Sequence, residues 1–189
     1  RLFHVDHSLK DIELTTSLIG PYLIPGSKVI VEGCTLPLSK VTPMQLGNAP
    51  YDGGHLILEN DEPGRLGLSS EDKARWLRDL WGSAEVINGR ARKCIWIEDG
   101  HLEDAKKNII IANRIEAVKA MRSGSTDAGT RAMASRPHQF REMNSGVKNT
   151  LIVPIRSSEF RPYLPVDFMG PDCCVTNLAY VIYDGPLMN

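Results

Sequence analysis

Apolar positions along the chain recur with two periodicities, one typical of β-strands and the other typical of an α-helix. Residues 14–37 are rich in apolar and β-branched side chains, and Pro25-Gly26 divides them into two predicted strands at 22–24 and 28–32. Further short apolar runs predict strands at 55–58, 150–155 and 175–183. These runs indicate a fold that contains at least one sheet.

The helical period is clearest in the second half of the chain. Ile111, Ile115, Val118 and Met121 recur at intervals of four, three and three, which predicts an amphipathic helix over 103–122. The outer side of this helix is expected to carry the basic residues Lys106, Lys107, Arg114, Lys119 and Arg122.

Capping residues predict two shorter helices. Ser69, with Asp72 three positions later, predicts the start of a helix that continues to Trp81. Ser125 predicts the start of another helix, which runs to Ser135 and stops before a proline.

Turn residues complete the predicted fold. Asn88-Gly89 lies between the β-rich runs 86–90 and 93–97 and predicts a hairpin. Three prolines and three glycines in 37–54 predict an irregular loop, which we expect to be anchored by the apolar residues Met44, Leu46 and Tyr51. Since strands and hairpins occur without βαβ alternation, we predict a mixed α+β fold with mainly antiparallel sheet and a few packed helices.

Composition narrows the class of protein. The chain has 189 residues, 42% hydrophobic and 24% charged, which is typical of a globular domain. A net charge of −1 excludes a uniformly basic nucleic-acid binder but leaves local patches open. The sequence contains neither an apolar run of about 18 residues nor an apolar signal core, so we expect a cytoplasmic protein without a membrane partner. Because the chain starts at Arg1 and stops after a strand-like run, we expect residues 1–189 to be a fragment of a longer polypeptide.

Motifs for catalysis are missing from the sequence. It has no P-loop, GxSxG or HExxH string, and it lacks the Gly-rich cofactor turn and the Asn/Asp-Pro-Pro-aromatic loop of adenine methyltransferases. Cys94 and His138 could form a Cys-His hydrolase pair, but nothing marks the cysteine as activated. Cys94, Cys173 and Cys174 fit buried hydrophobic positions, and the histidines show no metal spacing. We therefore predict no catalytic and no metal-ligating residues in this chain.

Charge is unevenly distributed along the chain. Between Arg114 and Arg161 there are nine Lys and Arg residues and four Asp and Glu residues. Seven of the nine are arginines, whose planar guanidinium suits phosphate and base-edge contacts. A solvated helix face is the competing explanation.

Glu159 and Arg161 form the most distinctive pair in this stretch. In an extended segment both side chains point to one face. A carboxylate accepts a hydrogen bond from cytosine N4 and an arginine donates to guanine O6 and N7, so the two could recognise a G·C pair. An ordinary surface ion pair explains them equally well.

Several blocks of the sequence resemble one known family in order and spacing. They are GNAPYDGG at 47–54, GSAEVINGRARKCIWI at 82–97, NRIEAVKAMRSGS at 113–125, RAMASRPHQF at 131–140 and IVPIRSSEFRPYLPVDF at 152–168. The family comprises type II restriction-modification proteins that fuse an adenine-specific DNA methyltransferase, often with a nuclease, into one polypeptide. The blocks are similar to its target-recognition domain, so residues 1–189 are expected to be such a domain without the catalytic core.

The resemblance implies partners and site residues. The partners would be duplex DNA and the methyltransferase domain of the same polypeptide, and S-adenosylmethionine would be the cofactor of the parent protein, with none in this fragment. We expect DNA contacts from the recognition block, from the basic helices and from the 47–54 loop. These residues are Arg156, Ser157, Ser158, Glu159, Arg161 and Tyr163, then Arg114, Lys119, Arg122 and Arg131, and finally Asn48 and Asp52. A non-catalytic protein-interaction module is the alternative.

Overall fold

The structure is a computed structural model that describes residues 2–5, 11–30, 32–34, 40–59, 61–158 and 160–185. The chain divides into two compact units, Arg1–Lys40 and Val41–Asn189. The first unit contains an antiparallel pair, β1 (Leu2–Val5) and β2 (Asp11–Leu14). The candidate site lies in the second unit.

The strands predicted at 22–24 and 28–32 are wrong within the described part of the first unit. Residues 21–24 form a turn, in which the Gly20 N–H donates to Ile24 O at 2.8 Å and the Leu23 N–H donates to Gly20 O at 3.0 Å. Leu23 adopts φ +60° in this turn. Residues 28–30 form no strand either. The apolar side chains of this segment are exposed. The apolar and β-branched composition that predicts strands is therefore not matched by a buried face.

The second unit contains two four-stranded sheets. The first sheet is antiparallel, with strand order β3-β10-β7-β8. The second has the order β4-β6-β5-β9, in which only the β5–β9 pair is parallel. The strands are β3 (Gln45–Leu46), β4 (Ile57–Leu58), β5 (Leu77–Trp81), β6 (Arg92–Ile95), β7 (Thr150–Pro154), β8 (Asp167–Met169), β9 (Cys174–Val175) and β10 (Ala179–Tyr183).

Helices surround these sheets and complete a mixed α+β fold, as the sequence predicts. They are α1 (Glu62–Arg65), α2 (Ser70–Trp76), α3 (Ser83–Asn88), α4 (Leu102–Ala105), α5 (Ile109–Ser123) and α6 (Ala128–Ala132), with 3₁₀ turns at Asp99–His101 and Met133–Ser135. The larger core joins the second sheet to α2 and α5 through residues such as Leu58, Trp76, Ile95, Ile111 and Ile115. A smaller core lies on one face of the first sheet, around Ile152, Val175, Ala179 and Val181.

Two local predictions fail between α2 and β6. Ser69 caps α2 as predicted, with its Oγ 3.0 Å from the Asp72 N–H, but the helix ends at Trp76 and the chain continues as β5. Asn88-Gly89 does not form a hairpin turn. Gly89 adopts φ +65° as the left-handed residue at the end of α3, a position that favours glycine for the same reason as a hairpin turn does.

The other helix and strand boundaries also differ from the prediction. The helix predicted over 103–122 is two helices, because Asn108 caps α5 by accepting hydrogen bonds from the Ile110 and Ile111 N–H groups. The following helix is capped by Asp127 rather than Ser125. The run 175–183 is split into β9 and β10, and β8 is a strand that the sequence did not predict.

The proposed anchors of the 37–54 loop are wrong for the described residues. Met44, Leu46 and Tyr51 are exposed, whereas Asn48 and Asp52 are buried. Cys94, Cys173 and Cys174 are buried, as predicted, and Cys34 is exposed. Within the described ranges, no helix is long and apolar enough to cross a membrane. The same residues contain no cluster of His, Cys, Asp and Glu that could hold a metal ion.

Candidate nucleic-acid interface

Asn48 is a buried connector in the 47–54 loop. Its Nδ2 donates to Asn144 O at 2.9 Å and to Val175 O at 3.1 Å, and its Oδ1 accepts from the Asn144 N–H at 2.8 Å. Its backbone N–H also donates to Val175 O at 2.7 Å. Its side-chain amide is fully used inside the protein, and the expected DNA contact by Asn48 stays a prediction.

Gly47 allows this close packing. A Cβ at this position would lie 2.4 Å from Thr176 O and 2.5 Å from Val175 O, both of which are backbone atoms. The 47–54 loop can therefore lie against the chain after β9 only if residue 47 lacks a side chain.

Asp52 is also committed to the protein interior. Its Oδ2 accepts hydrogen bonds from the Leu56 N–H at 2.7 Å and the Ile57 N–H at 2.9 Å. The side chain is buried, and the expected DNA contact by Asp52 stays a prediction. The carboxylate instead shapes the turn that leads into β4.

Among the described candidates for DNA contact, Arg122 makes the largest number of hydrogen bonds inside the protein. It is fully buried, and its guanidinium donates to five backbone carbonyl oxygens at 2.7–3.0 Å. The acceptors are those of Pro50, Tyr51, Met133, Arg136 and Gln139. Burial lowers the pKa of Arg122, and the neighbouring Arg136 charge lowers it further.

The predicted outer position of Arg122 is therefore wrong. A guanidinium has five N–H donors, and all five are satisfied by the protein, so none is left for a phosphate. Arg122 holds the 47–54 loop against the segment that follows α6. The sequence contains a signal for this role, since Arg122 continues the buried stripe of Ile111, Ile115 and Val118 at a spacing of four.

Arg114 is mostly buried as well. Its Nη1 donates to His55 O at 2.7 Å, and its Nη2 is paired with Glu62. Burial lowers the pKa of Arg114. The guanidinium joins α5 to the β4–α1 region, and the expected DNA contact by Arg114 stays a prediction.

Two basic residues of the helical group are exposed, as expected. Lys119 lies on the outer side of α5 and Arg131 lies on α6. Arg131 Nη1 donates to Ser125 O at 2.8 Å and to Thr126 O at 2.7 Å, which orients the guanidinium at the α5–α6 turn. Both cations are available to a polyanion at the surface.

Arg141 is a surface cation that the sequence analysis did not single out. Its guanidinium lies 5.5 Å from the ring centroid of Tyr51 and is paired with Glu142. The excess of basic residues in 114–161 is the sequence signal that points to Arg141.

The β7–β8 connection carries the remaining candidates. Arg156, Ser157, Arg161 and Tyr163 are exposed, and Ser158 is partly exposed. The connection is tied to the body of the unit at its start, where the Ile155 N–H donates to Ser83 Oγ at 3.0 Å and Ser83 Oγ also contacts Leu178 O. Its long side chains project from the surface beyond this tie.

The premise of an extended recognition segment is wrong at one point. The Arg161 N–H donates to Ser158 O at 3.0 Å, which closes a turn between these residues. Period-two alternation therefore does not apply from 158 to 161. Glu159 lies outside the described residues, so its pairing with Arg161 stays a prediction.

Cys94 and His138 do not form a solvent-accessible hydrolase site, because both side chains are buried. Cys94 is fully buried in β6. His138 is also buried, and its Nε2 lies 3.0 Å from Asp99 Oδ1.

The comparisons with known proteins define the class to which this fold and surface belong. The family model described as "MmeI, target recognition domain" matches residues 25–189. The chain therefore belongs to the family of MmeI target recognition domains.

Two known proteins are similar to this chain over most of its length. DNA methyltransferase A of Bacillus subtilis (strain 168) is 36% identical over 171 residues, which cover 90% of this chain and 20% of that protein. The solved structure of the type IIL restriction-modification enzyme MmeI in complex with DNA has a TM-score of 0.79 and 26% identity. That match covers 94% of this chain and 24% of the MmeI chain. The chain thus spans about a quarter or less of the length of each relative.

Proposed function

We propose that this chain is the DNA-recognition part of a longer cytoplasmic polypeptide that methylates adenine in a specific duplex sequence. The observation that carries the proposal is the family match over residues 25–189, supported by the fold shared with an enzyme whose structure contains DNA. Catalysis and the binding of S-adenosylmethionine, which supplies the methyl group, belong in this proposal to a methyltransferase domain outside these residues.

The exposed candidates fall into two roles. Lys119 and Arg131 bind phosphates, since they are surface cations on helices and a backbone contact requires only charge and reach. Glu159 and Arg161 recognise a G·C pair, with Arg156, Ser157, Ser158 and Tyr163 contributing supporting contacts from the same connection. Asn48, Asp52, Arg114 and Arg122 form the scaffold beneath them.

Exchange of the two base-reading charges tests the proposal. In the intact polypeptide, the double substitution Glu159→Lys with Arg161→Asp should change the preferred base pair at one position of the methylated site. A good bidentate base contact contributes about 1–3 kcal/mol of discrimination, which is enough to change which sites are modified. The measurement is sequencing of methylated sites in DNA from cells that express each form.

A matched charge exchange serves as the control. Asp61 and Arg65 form an exposed ion pair on and beside α1, outside the proposed DNA surface. Asp61→Lys with Arg65→Asp should leave the list of methylated sites unchanged. If the Glu159 and Arg161 exchange also leaves that list unchanged while methylation continues, the two residues do not recognise bases and an ordinary ion pair accounts for them.

A further inference from the structure

The β3-β10-β7-β8 sheet presents a second apolar face, opposite the one that packs in the smaller core. Cross-strand partners in a sheet point to the same side, and Tyr180 pairs with both Leu46 and Val153. On the next row of the same side, Leu151 pairs with both Ile182 and Phe168.

Two residues next to the strands extend these rows to the edges of the sheet. Met44 precedes β3 and Val166 precedes β8, and two-residue alternation puts them on the side of Leu46 and Phe168. We call this side the outer face. Its eight residues form two rows of four, which are Leu46, Tyr180, Val153 and Val166, and then Met44, Ile182, Leu151 and Phe168.

The outer face is only partly shielded. Met44, Leu46, Val166 and Phe168 are each 50–53% exposed, and Tyr180 is 41% exposed. On the opposite side of the same strands, Ile152, Ala179 and Val181 are fully buried. Val153, at the centre of one row, is buried, and Leu151 and Ile182 are half-buried, so the exposed part of the outer face comprises its two edges and Tyr180. These exposed residues lie on a side that the smaller core does not use.

A solvated sheet face normally carries polar residues that alternate with buried apolar ones. None of the eight residues of the outer face is charged, and five of them are exposed; an exposed apolar patch rimmed by solvent marks an interaction site. A nucleic acid does not fit such a surface, because DNA binding requires Lys and Arg to neutralise phosphates. The surface fits an apolar protein partner.

We propose that the outer face packs against another folded domain of the same polypeptide, which rests on the proposed function. The relatives identify where such a domain could come from, since this chain matches only 20% and 24% of their lengths. Methylation at a fixed position relative to a recognised sequence also requires the recognition part to keep one orientation to the catalytic part. A large apolar interface holds two domains in one orientation, whereas a small polar one permits relative motion.

Site-specific photo-cross-linking in the intact polypeptide tests this interface. Phe168→p-benzoyl-phenylalanine and Tyr180→p-benzoyl-phenylalanine place a photoreactive ring of similar shape on the outer face, one position at a time. Val147→p-benzoyl-phenylalanine is the control, because Val147 is 79% exposed and lies before β7, outside both rows. Cross-linked peptides are identified by mass spectrometry, with DNA both absent and present.

The expected result is a gain of cross-links from positions 168 and 180 to peptides of the same molecule outside residues 1–189, at a yield above the control. Four results would overturn the proposal: cross-links to a second copy, to residues 1–40 or to DNA, or only solvent-quenched label at both positions. Site-specific methylation by the same preparations is measured in parallel. Methylation without sequence specificity, together with the expected cross-links, would refute the proposed function alone, whereas specific methylation without those cross-links would refute the interface alone.

Discussion

At the scale of single residues, buried polar side chains shape the loops of the second unit. Asn48, Asp52 and Arg122 join segments that are distant in the sequence, and each satisfies backbone groups that would otherwise be buried without partners. The sequence indicates that these residues are polar or charged, but it does not indicate their partners. Their internal roles could not be predicted because hydrogen bonds between distant segments are not encoded in local spacing.

Arg122 provides the first prediction. Arg122→Ala should lower the free energy of unfolding by at least about 3 kcal/mol, because each buried carbonyl left without a donor costs about 1–3 kcal/mol. Urea unfolding followed by tryptophan fluorescence measures this loss. Arg131→Ala is the matched control, and it should cost about 1 kcal/mol or less because its hydrogen bonds are exposed. Equal losses for the two variants would contradict the scaffold role of Arg122.

His138 provides a prediction about pH. Burial lowers the pKa of His138, although its contact with Asp99 acts in the opposite direction, and its Nδ1 has no partner among the described residues. Below about pH 6.5 the unfolded chain binds a proton that the folded chain does not, so stability should fall as pH drops from 6.5 toward the folded pKa.

His138→Gln should reduce this loss of stability, since Gln does not titrate. Unfolding midpoints measured between pH 7.5 and 5 test the effect. The exposed His101→Gln is the control and should leave the loss in place. A His138→Gln variant with the same loss as the unsubstituted chain would show that other groups are responsible.

At the scale of secondary-structure elements, some of the predicted turn and cap residues mark a boundary of an element, but they do not decide which element it is. Ser69 caps a helix as predicted, and Gly89 lies at the end of α3 instead of in the predicted hairpin turn. The element around each signal was decided by distant partners. Leu77–Trp81 continues an apparently helical stripe, yet it becomes a central strand because β6 and β9 pair with its two edges.

The cap of α2 yields a quantitative prediction. Ser69→Ala should destabilise the chain by about 0.5–2 kcal/mol, because the Asp72 N–H loses its side-chain acceptor. Ser70→Ala, one position into the helix, is the matched control and should have a smaller effect. Chemical unfolding of the two variants under one condition decides between a capping role and a general effect of removing a hydroxyl.

At the scale of the whole molecule, net charge conceals the distribution that bears on the proposed function. The sum of −1 gives no indication of DNA binding, and half of the basic residues proposed for contact on α5 and α6 proved to be internal. The mixed α+β class was predictable from the order of elements, since the predicted strands and helices show no βαβ alternation. Which arginines are buried and which are exposed could not be predicted, because this depends on which loops pack around each guanidinium.

DNA binding by the intact polypeptide should weaken steeply with salt. Each phosphate contact contributes a slope of about −0.9 in a plot of log K against log salt concentration, so Arg131→Ala should make the slope shallower by about that amount. Fluorescence anisotropy at several salt concentrations measures it. Arg65→Ala, an exposed arginine on α1, should leave the slope unchanged. An Arg131→Ala slope that equals the unsubstituted one would exclude this phosphate contact.

The β7–β8 connection begins and ends on two adjacent antiparallel strands, where Ile152 is paired with Asp167. Because those strands fix its ends, its length and chemistry can vary at little thermodynamic cost, roughly 0.6 kcal/mol for each doubling of a flexible loop. Substitutions, insertions and deletions in this connection can therefore accumulate while the core stays intact. With the base-reading role proposed for this connection, changes in one short stretch are enough to alter the target sequence without rebuilding the domain that presents it.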